Sequence, residues 1–242
     1  MVAKRSFTAV LFDVDDTLYD RHKAQGQVLQ KTVSFFPELF AGLSEVDIVN
    51  AFHKSDHDTS NHYYSLATIR KTRTVRWRKF LENLHLPNDF AEKLTDFYVE
   101  TYRCVDASIS DALPVVQACR KKFRIGIVSN AFPDVQYYKL EAIGLRHLFE
   151  CITLSEEIGV RKPNPAIFLK ACADLQVLPK NSLYVGDSYA NDIVGSHAAG
   201  LASCWFNPGN LPLPVGGDVP DYVVTSLREV LEIVGCDQPA YE

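Results

Sequence analysis

The stretch Phe7 to Asp20, FTAVLFDVDDTLYD, decides how the rest of the chain is read. Its apolar run, Ala9 to Phe12, is rich enough in branched and aromatic residues to be a buried strand. The run stops abruptly at three carboxylates within four positions, Asp13, Asp15 and Asp16. Two explanations compete for them. If the strand stays extended through Asp15, its period of two puts the Asp13 and Asp15 side chains on one face, roughly 6 to 7 Å apart, and sends Val14 and Asp16 to the other. Carboxylates so placed can grip a cation or divide nucleophilic and acid/base work. In the second explanation Asp15, Asp16 and Thr17 cap a helix beginning near Leu18.

Size and charge set the outer bounds. The chain has 242 residues, enough for one large domain or two small ones with a real core. Its net charge of −5 argues against nucleic acid or an anionic membrane as a partner. The balance is uneven, because residues 20–105 hold 12 Lys and Arg against 11 Asp and Glu and the remainder carries −6. Six cysteines, at 104, 119, 151, 172, 204 and 236, lie far apart without CxxC spacing and read as free thiols in a reducing compartment. The N-terminal apolar run is too short for a secretory signal, and no segment approaches the roughly 18 apolar residues of a membrane span. A cytoplasmic protein, monomer or homodimer, is expected.

From residue 20 to 105 apolar residues recur at helical intervals. Val28, Leu29, Val33 and Phe36 form one stripe, and Val46, Val49 and Phe52 a second. Trp77, Phe80, Leu81 and Leu84 continue it, followed by Phe90, Leu94, Phe97, Tyr98 and Tyr102. Four or five helices are predicted there. Beyond Asp111, helices alternate with strands at 124–128, 151–154, 183–185, 201–206 and 222–224, the pattern of a parallel sheet covered on both faces. The first strand belongs to that sheet, so residues 1–19 and 106–242 are expected to form one α/β core interrupted by a helical domain at 20–105.

Ligands of open parallel sheets bind beyond the carboxyl ends of the strands. Three strands finish there in polar residues: Asp13 and Asp15; Ser129 and Asn130; Asp187 with Asp192 close behind. Lys162 sits in a Pro-bounded loop after a fourth. Carboxylates suit a divalent cation, and hydroxyl, amide and ammonium donors suit a phosphoryl group. As structural alternatives, Ser129 and Asn130 end a strand, Lys162 is solvated, and Asp192 is a first-turn acid favoured by the helix dipole.

These residues carry a resemblance. DVDDT with Leu18 is similar to the first motif, DxDxT, of the haloacid dehalogenase-like (HAD) superfamily; Ser129 resembles its second, Lys162 in RKPNP its third and GDSYAND its fourth. All four occur in the required order. The resemblance implies a Rossmann-like core, with the helical insertion as its cap, and a set of roles. Asp13 is the nucleophile that forms an aspartyl phosphate, being already ionised at neutral pH. Asp15 protonates the leaving alkoxide and then takes a proton from water, which calls for a raised pKa. Mg²⁺ is held by the Asp13 carboxylate, the Asp15 carbonyl and Asp187, with Asp192 orienting its waters. Thr17, Ser129 and Asn130 donate to phosphate oxygens, and Lys162 offsets charge on Asp13 and the transferring group. Asp16 faces away.

Asp15 also separates reactions. Dehalogenases of the superfamily attack carbon and need no acid two residues after the nucleophile, whereas phosphatases do. The implied activity is hydrolysis of a small phosphorylated metabolite such as a nucleotide, sugar phosphate or flavin nucleotide. A phosphomutase, a dehalogenase and a non-catalytic regulatory member are the alternatives. A phosphonate hydrolase would add a Schiff-base lysine from the cap, for which Lys23, Lys31 and Lys54 are candidates. Substrate choice is expected to lie with the cap, where Arg70 to Lys79 cluster six basic residues around Trp77. Arg73, Arg76 and Trp77 could meet a second phosphate or a base, or the segment is a solvated helix face with Trp77 in the core. His53, His57 and His62 with Asp56 and Asp58 could bind a metal, and His62, Tyr63 and Tyr64 could line a pocket.

Overall fold

Ala9–Phe12 form β1, buried at every position, and the chain then divides around it. The computed structural model describes residues 6–60 and 69–237. One compact unit takes in the chain through His22 and from Asp106 onward; Lys23–Val105 form the other.

In the second unit, α1 (Arg21–Phe35), α2 (Glu45–Ser60), α3 (Ile69–Asn83) and α4 (Ala91–Tyr102) succeed one another, with α2 and α4 each packed on α3. Trp77 is the hub. It is fully buried, with the rings of Phe80, Tyr98 and Phe52 at 5.1, 5.6 and 5.8 Å. Most of the basic segment on α3 is a solvated face, with Arg70, Lys71, Arg78 and Lys79 exposed, but Arg73 and Arg76 are buried beside Trp77. Arg76 reaches Asp56 at 3.1 Å and lies 4.4 Å from the Tyr98 ring centroid, so a charge pair and an aromatic wall replace its water. Val46, expected in the apolar stripe, is two-thirds exposed in the first turn of α2.

In the first unit come α5 (Ala112–Arg120), β2 (Arg124–Ser129), α6 (Pro133–Ala142), β3 (Cys151–Leu154), α7 (Ser155–Ile158), α8 (Pro165–Asp174), β4 (Ser182–Gly186), α9 (Val194–Ala198), β5 (Ala202–Phe206), β6 (Tyr222–Val224) and α10 (Arg228–Val234), the expected succession with the single turn α7 added. The strands make a parallel sheet ordered β3-β2-β1-β4-β5-β6. Ala9 and Leu11 enter a core cluster with Ile167, Phe168, Ala171 and Leu175 of α8 and its C-terminal end. Val10 and Phe12, one step out of phase, face the other side of the sheet. The topology reverses direction between β1 and β4, and a crevice opens at such a point beyond the carboxyl ends. Asp13 and Asp187 follow those two strands directly. No helix among the described residues is long and apolar enough to cross a membrane, and the six cysteines are free thiols.

Candidate active site

The acidic stretch leaves the sheet earlier than strand periodicity suggests. β1 ends at Phe12, and Asp13 is held by a bond from its backbone N to the Val185 carbonyl at 2.9 Å. The Val14 carbonyl then accepts from the N–H groups of Thr17, Leu18 and Tyr19, which winds the chain into a tight turn with Asp16 at a left-handed φ of 59°. Asp13 and Asp15 therefore diverge to different partners. Asp16, read as facing away, is turned back into the wall of the same cavity, where its carboxylate holds the Arg21 backbone N–H at 3.0 Å and side-chain Nε at 3.3 Å. The helix-cap explanation applies to Asp16 alone, for the helix that starts at Arg21.

A cavity of about 260 Å³ brings Asp13, Asp15, Ser129, Asn130, Lys162 and Asp187 together, and all of them belong to the first unit. Lys162 lies at its base, 5% exposed. Its Nζ donates to Asp13 Oδ1 at 2.6 Å, Asp192 Oδ1 at 2.7 Å and the Tyr184 hydroxyl at 3.0 Å. The loop that carries it is held from both sides. Asn164 caps α8 by accepting from the Ala166 N–H, and the Asn130 side chain clamps the Lys162 backbone at both polar ends, 2.8 and 3.0 Å. Asn130 thus positions the lysine with its carbonyl and one amide proton, and its second amide proton remains to donate in the cavity it lines. Ser129 Oγ accepts from Gln136 Nε2 at 3.2 Å, which leaves its own proton to donate.

Thr17 is fully buried and donates to Asp187 Oδ1 at 3.2 Å, so it serves a carboxylate and not a phosphate oxygen. Asp187 is further fixed through its carbonyl, which accepts from Trp205 Nε1 at 2.7 Å. A π-helical turn, Tyr189–Ile193, returns Asp192 beneath it. The Asp192 carboxylate takes the Ser188 N–H at 2.9 Å, and a Cβ at residue 186 would collide with it, so Gly186 is required there.

The electrostatics follow from this crowding. Burial pushes the Asp13 carboxyl well above the usual range, and Asp192 and Asp187 add to the effect against the opposing pull of Lys162. Asp187 is pushed up to about 7, first by burial and then by Asp192 and Asp16. Asp15 behaves in the opposite way to the sequence expectation. Burial raises its pKa, but Lys139 Nζ at 2.6 Å, with Arg21 and Lys162 behind it, brings the net value below the ordinary carboxylate range.

The residues fit a hard divalent cation. Asp13, Asp187 and Asp192 each offer a carboxylate oxygen within 4.8 Å of the others, an all-oxygen donor set. Around them Asp13, Asp15, Asp16, Asp187 and Asp192 face Lys139, Lys162 and Arg21; with all five ionised the excess is two negative charges, which such a cation balances and without which Asp13 and Asp187 are held up in pKa. The Asp15 carboxylate is not in the donor set, since it turns to Lys139. Among the described residues no cluster forms at His53 and His57. Asp56 pairs with Arg76 and Asp58 with Lys54, while His62, Tyr63 and Tyr64 lie outside the described residues. Lys54 is exposed, with Asp58 at 3.2 Å and Asn83 at 3.0 Å.

Sequence reasoning missed Tyr184, Gln136, Lys139 and Trp205. Tyr184 carried a usable signal: a tyrosine in a buried strand must find a partner for its hydroxyl. Here that hydroxyl donates to the Val128 carbonyl at 2.9 Å and meets Asp192 at 3.1 Å.

A parallel sheet whose switch-point strands present buried carboxylates against a buried lysine defines an α/β protein with an acidic site at its sheet edge. The chain belongs to the haloacid dehalogenase-like hydrolase family, whose model matches residues 7–200, and it is an enzyme of the phosphatase branch. It is 30% identical over 236 residues to a glyceraldehyde 3-phosphate phosphatase of Methanopyrus kandleri, covering 93% of this chain and 96% of that one. It is 29% identical over 229 residues to a pyrimidine 5′-nucleotidase of Escherichia coli, with coverage of 93% and 96%. Among solved structures it is similar to a magnesium-bound HAD-hydrolase of Bacillus subtilis, with a TM-score of 0.80 and 25% identity over 95% of this chain and 99% of that one.

Proposed function

We propose that the protein is a Mg²⁺-dependent phosphomonoester hydrolase of a small phosphorylated metabolite, working through an aspartyl phosphate on Asp13, with Lys23–Val105 as its cap. The supporting observation is the pairing of Asp13 with buried Lys162 at 2.6 Å, beside a second carboxylate, Asp15, in the same cavity. Asp13 attacks phosphorus, the ester P–O bond breaks, and the leaving oxygen takes a proton from Asp15. Water then attacks the acyl phosphate while Asp15 takes its proton back. In the resting site Asp15 is ionised, which suits the base; a bound phosphate dianion adds negative charge beside it and raises its pKa toward that of an acid. Lys162 holds charge on Asp13 and the transferring group, and Ser129 donates to it. Bound by Asp13 and Asp187, with Asp192 behind, Mg²⁺ would neutralise phosphoryl oxygen charge. The relatives named for a triose phosphate and for pyrimidine nucleotides make sugar phosphates and nucleotides the first substrates to screen.

The test is phosphate release from 4-nitrophenyl phosphate and a metabolite panel, with and without chelator. Isomerised product in place of free phosphate would mean a mutase, and no turnover on any substrate would leave a binding protein. The metal is checked without catalysis. At 100-fold excess over its dissociation constant a ligand of the folded state adds about 2.7 kcal/mol, so Mg²⁺ is expected to raise Tm by roughly 5–10 °C in the wild type. In Asp187→Asn the rise is expected to fall below about 2 °C. Equal rises by thermal circular dichroism would remove Asp187 from the donor set.

A further inference from the structure

Helix α6 lies outside the four motifs, yet two of its polar side chains, Gln136 and Lys139, are 1% and 6% exposed. Three residues apart, they occupy one helix face. Gln136 donates to Ser129 Oγ at 3.2 Å, and Lys139 donates to Asp15 Oδ1 at 2.6 Å. The Lys139 ammonium also sits 5.3 Å from the Tyr19 ring centroid, and Tyr19 bridges back to Asp15. The terminal torsion of a free carboxylate is broad, whereas a short charge-assisted bond to a buried cation fixes it. With Oδ1 held, Oδ2 is left to serve the reacting oxygen.

We propose that Lys139 is a positioning residue for Asp15: it fixes the carboxylate so that the leaving oxygen receives its proton, and α6 aligns Ser129 in the same way through Gln136. This rests on the phosphomonoester reading. In the step concerned a bond forms between an Asp13 oxygen and phosphorus. The ester P–O bond breaks with its electron pair going to the leaving oxygen, and a poor leaving group needs the Asp15 proton at that moment. A 4-nitrophenolate departs without one.

The experiment compares kcat/KM, which covers steps up to leaving-group departure, for phenyl phosphate and 4-nitrophenyl phosphate. Lys139→Met is expected to lose at least about tenfold more on phenyl phosphate than on its nitro analogue, consistent with the 10²–10⁴ range of general-acid effects. Lys139→Arg keeps the ratio near the wild type. In an Asp15→Asn background, Lys139→Met adds less than about threefold on phenyl phosphate, because its effect runs through Asp15. That double variant leaves no unpaired charge, so it can be measured where Lys139→Met alone fails to fold, and a further loss above about threefold there would by itself overturn the inference. Equal losses on the two esters, or the same loss with and without Asp15, would overturn the inference. Turnover persisting in Asp13→Asn would instead undo the aspartyl-phosphate reading, whatever Lys139 does.

Discussion

Asp13→Asn is expected to lower turnover by at least about 10⁴-fold, the scale seen when a nucleophile that works as part of a unit is removed. An amide oxygen can still accept from Lys162 at the 2.6 Å now spanned by the carboxylate, so the site keeps its shape and loses its nucleophile. The same change should not cost stability. Burial, Asp192 and Asp187 hold the Asp13 pKa above its ordinary range, and an acid with a raised folded pKa works against folding where it is ionised. Asparagine removes that charge while Lys162 keeps Asp192 as its counter-ion at 2.7 Å, so Tm at neutral pH without added metal is expected to stay level or rise, the usual trade between activity and stability. Phosphate release and thermal melting on one preparation check both halves. Activity within tenfold of the wild type would rule out Asp13 as the nucleophile.

Lys162→Met should do the reverse and weaken both fold and function. Burial disfavours the ammonium, but Asp13 and Asp192 outweigh it and push its pKa up. The stabilisation is therefore fully present at neutral pH and is lost only as pH rises beyond the ordinary lysine range. Methionine fills much of the volume and leaves two carboxylates facing each other without their cation. Breaking a buried pair this way costs about 3–5 kcal/mol, or roughly 6–20 °C in Tm for a chain of this size. Turnover is expected to fall about 10²–10³-fold as the charge that stabilises the transferring group disappears. Adding Asp192→Asn should recover part of the lost Tm, a non-additivity expected of direct partners. Additive losses in the melting data would mean that Lys162 and Asp192 do not act as a pair.

The core was legible because each strand is a short apolar run ended by a polar residue, and the termini of the predicted strands fall within a residue of those observed. Asp13 and Asp187 were legible for a related reason: a buried strand that ends in acid has few structural explanations. Lys162 stands in a loop beyond α7 and was marked only by its Pro-bounded context and the motif it resembles. What stayed hidden depends on contacts between distant positions. Lys139 lies 124 residues from Asp15, on a helix whose sequence reads as ordinary, and only the folded sheet edge brings them together. Asp16 was read as facing away because strand periodicity was carried into a turn where it is itself left-handed. Arg73 and Arg76 stood out in sequence only as part of a basic cluster; that Arg76 is buried against the Asp56 carboxylate and the Tyr98 ring depends on how the cap helices pack.

The chain departs for Lys23–Val105 and comes back at one spot. Around that spot the Asp20 N–H binds the Ala107 carbonyl at 2.7 Å, the Ile109 N–H binds the Leu18 carbonyl at 3.0 Å, and Tyr19 pairs with Ser108 in an antiparallel bridge. The two ends of the insertion are thereby zipped together by the sheet-bearing unit itself. Loop-closure entropy grows only as the logarithm of loop length, so once the ends are fastened the core is nearly indifferent to how many residues lie between them. In evolutionary terms the junction works as a socket. Insertions of different size and composition can be exchanged there while the carboxylates and lysine at the sheet edge keep an unchanged frame.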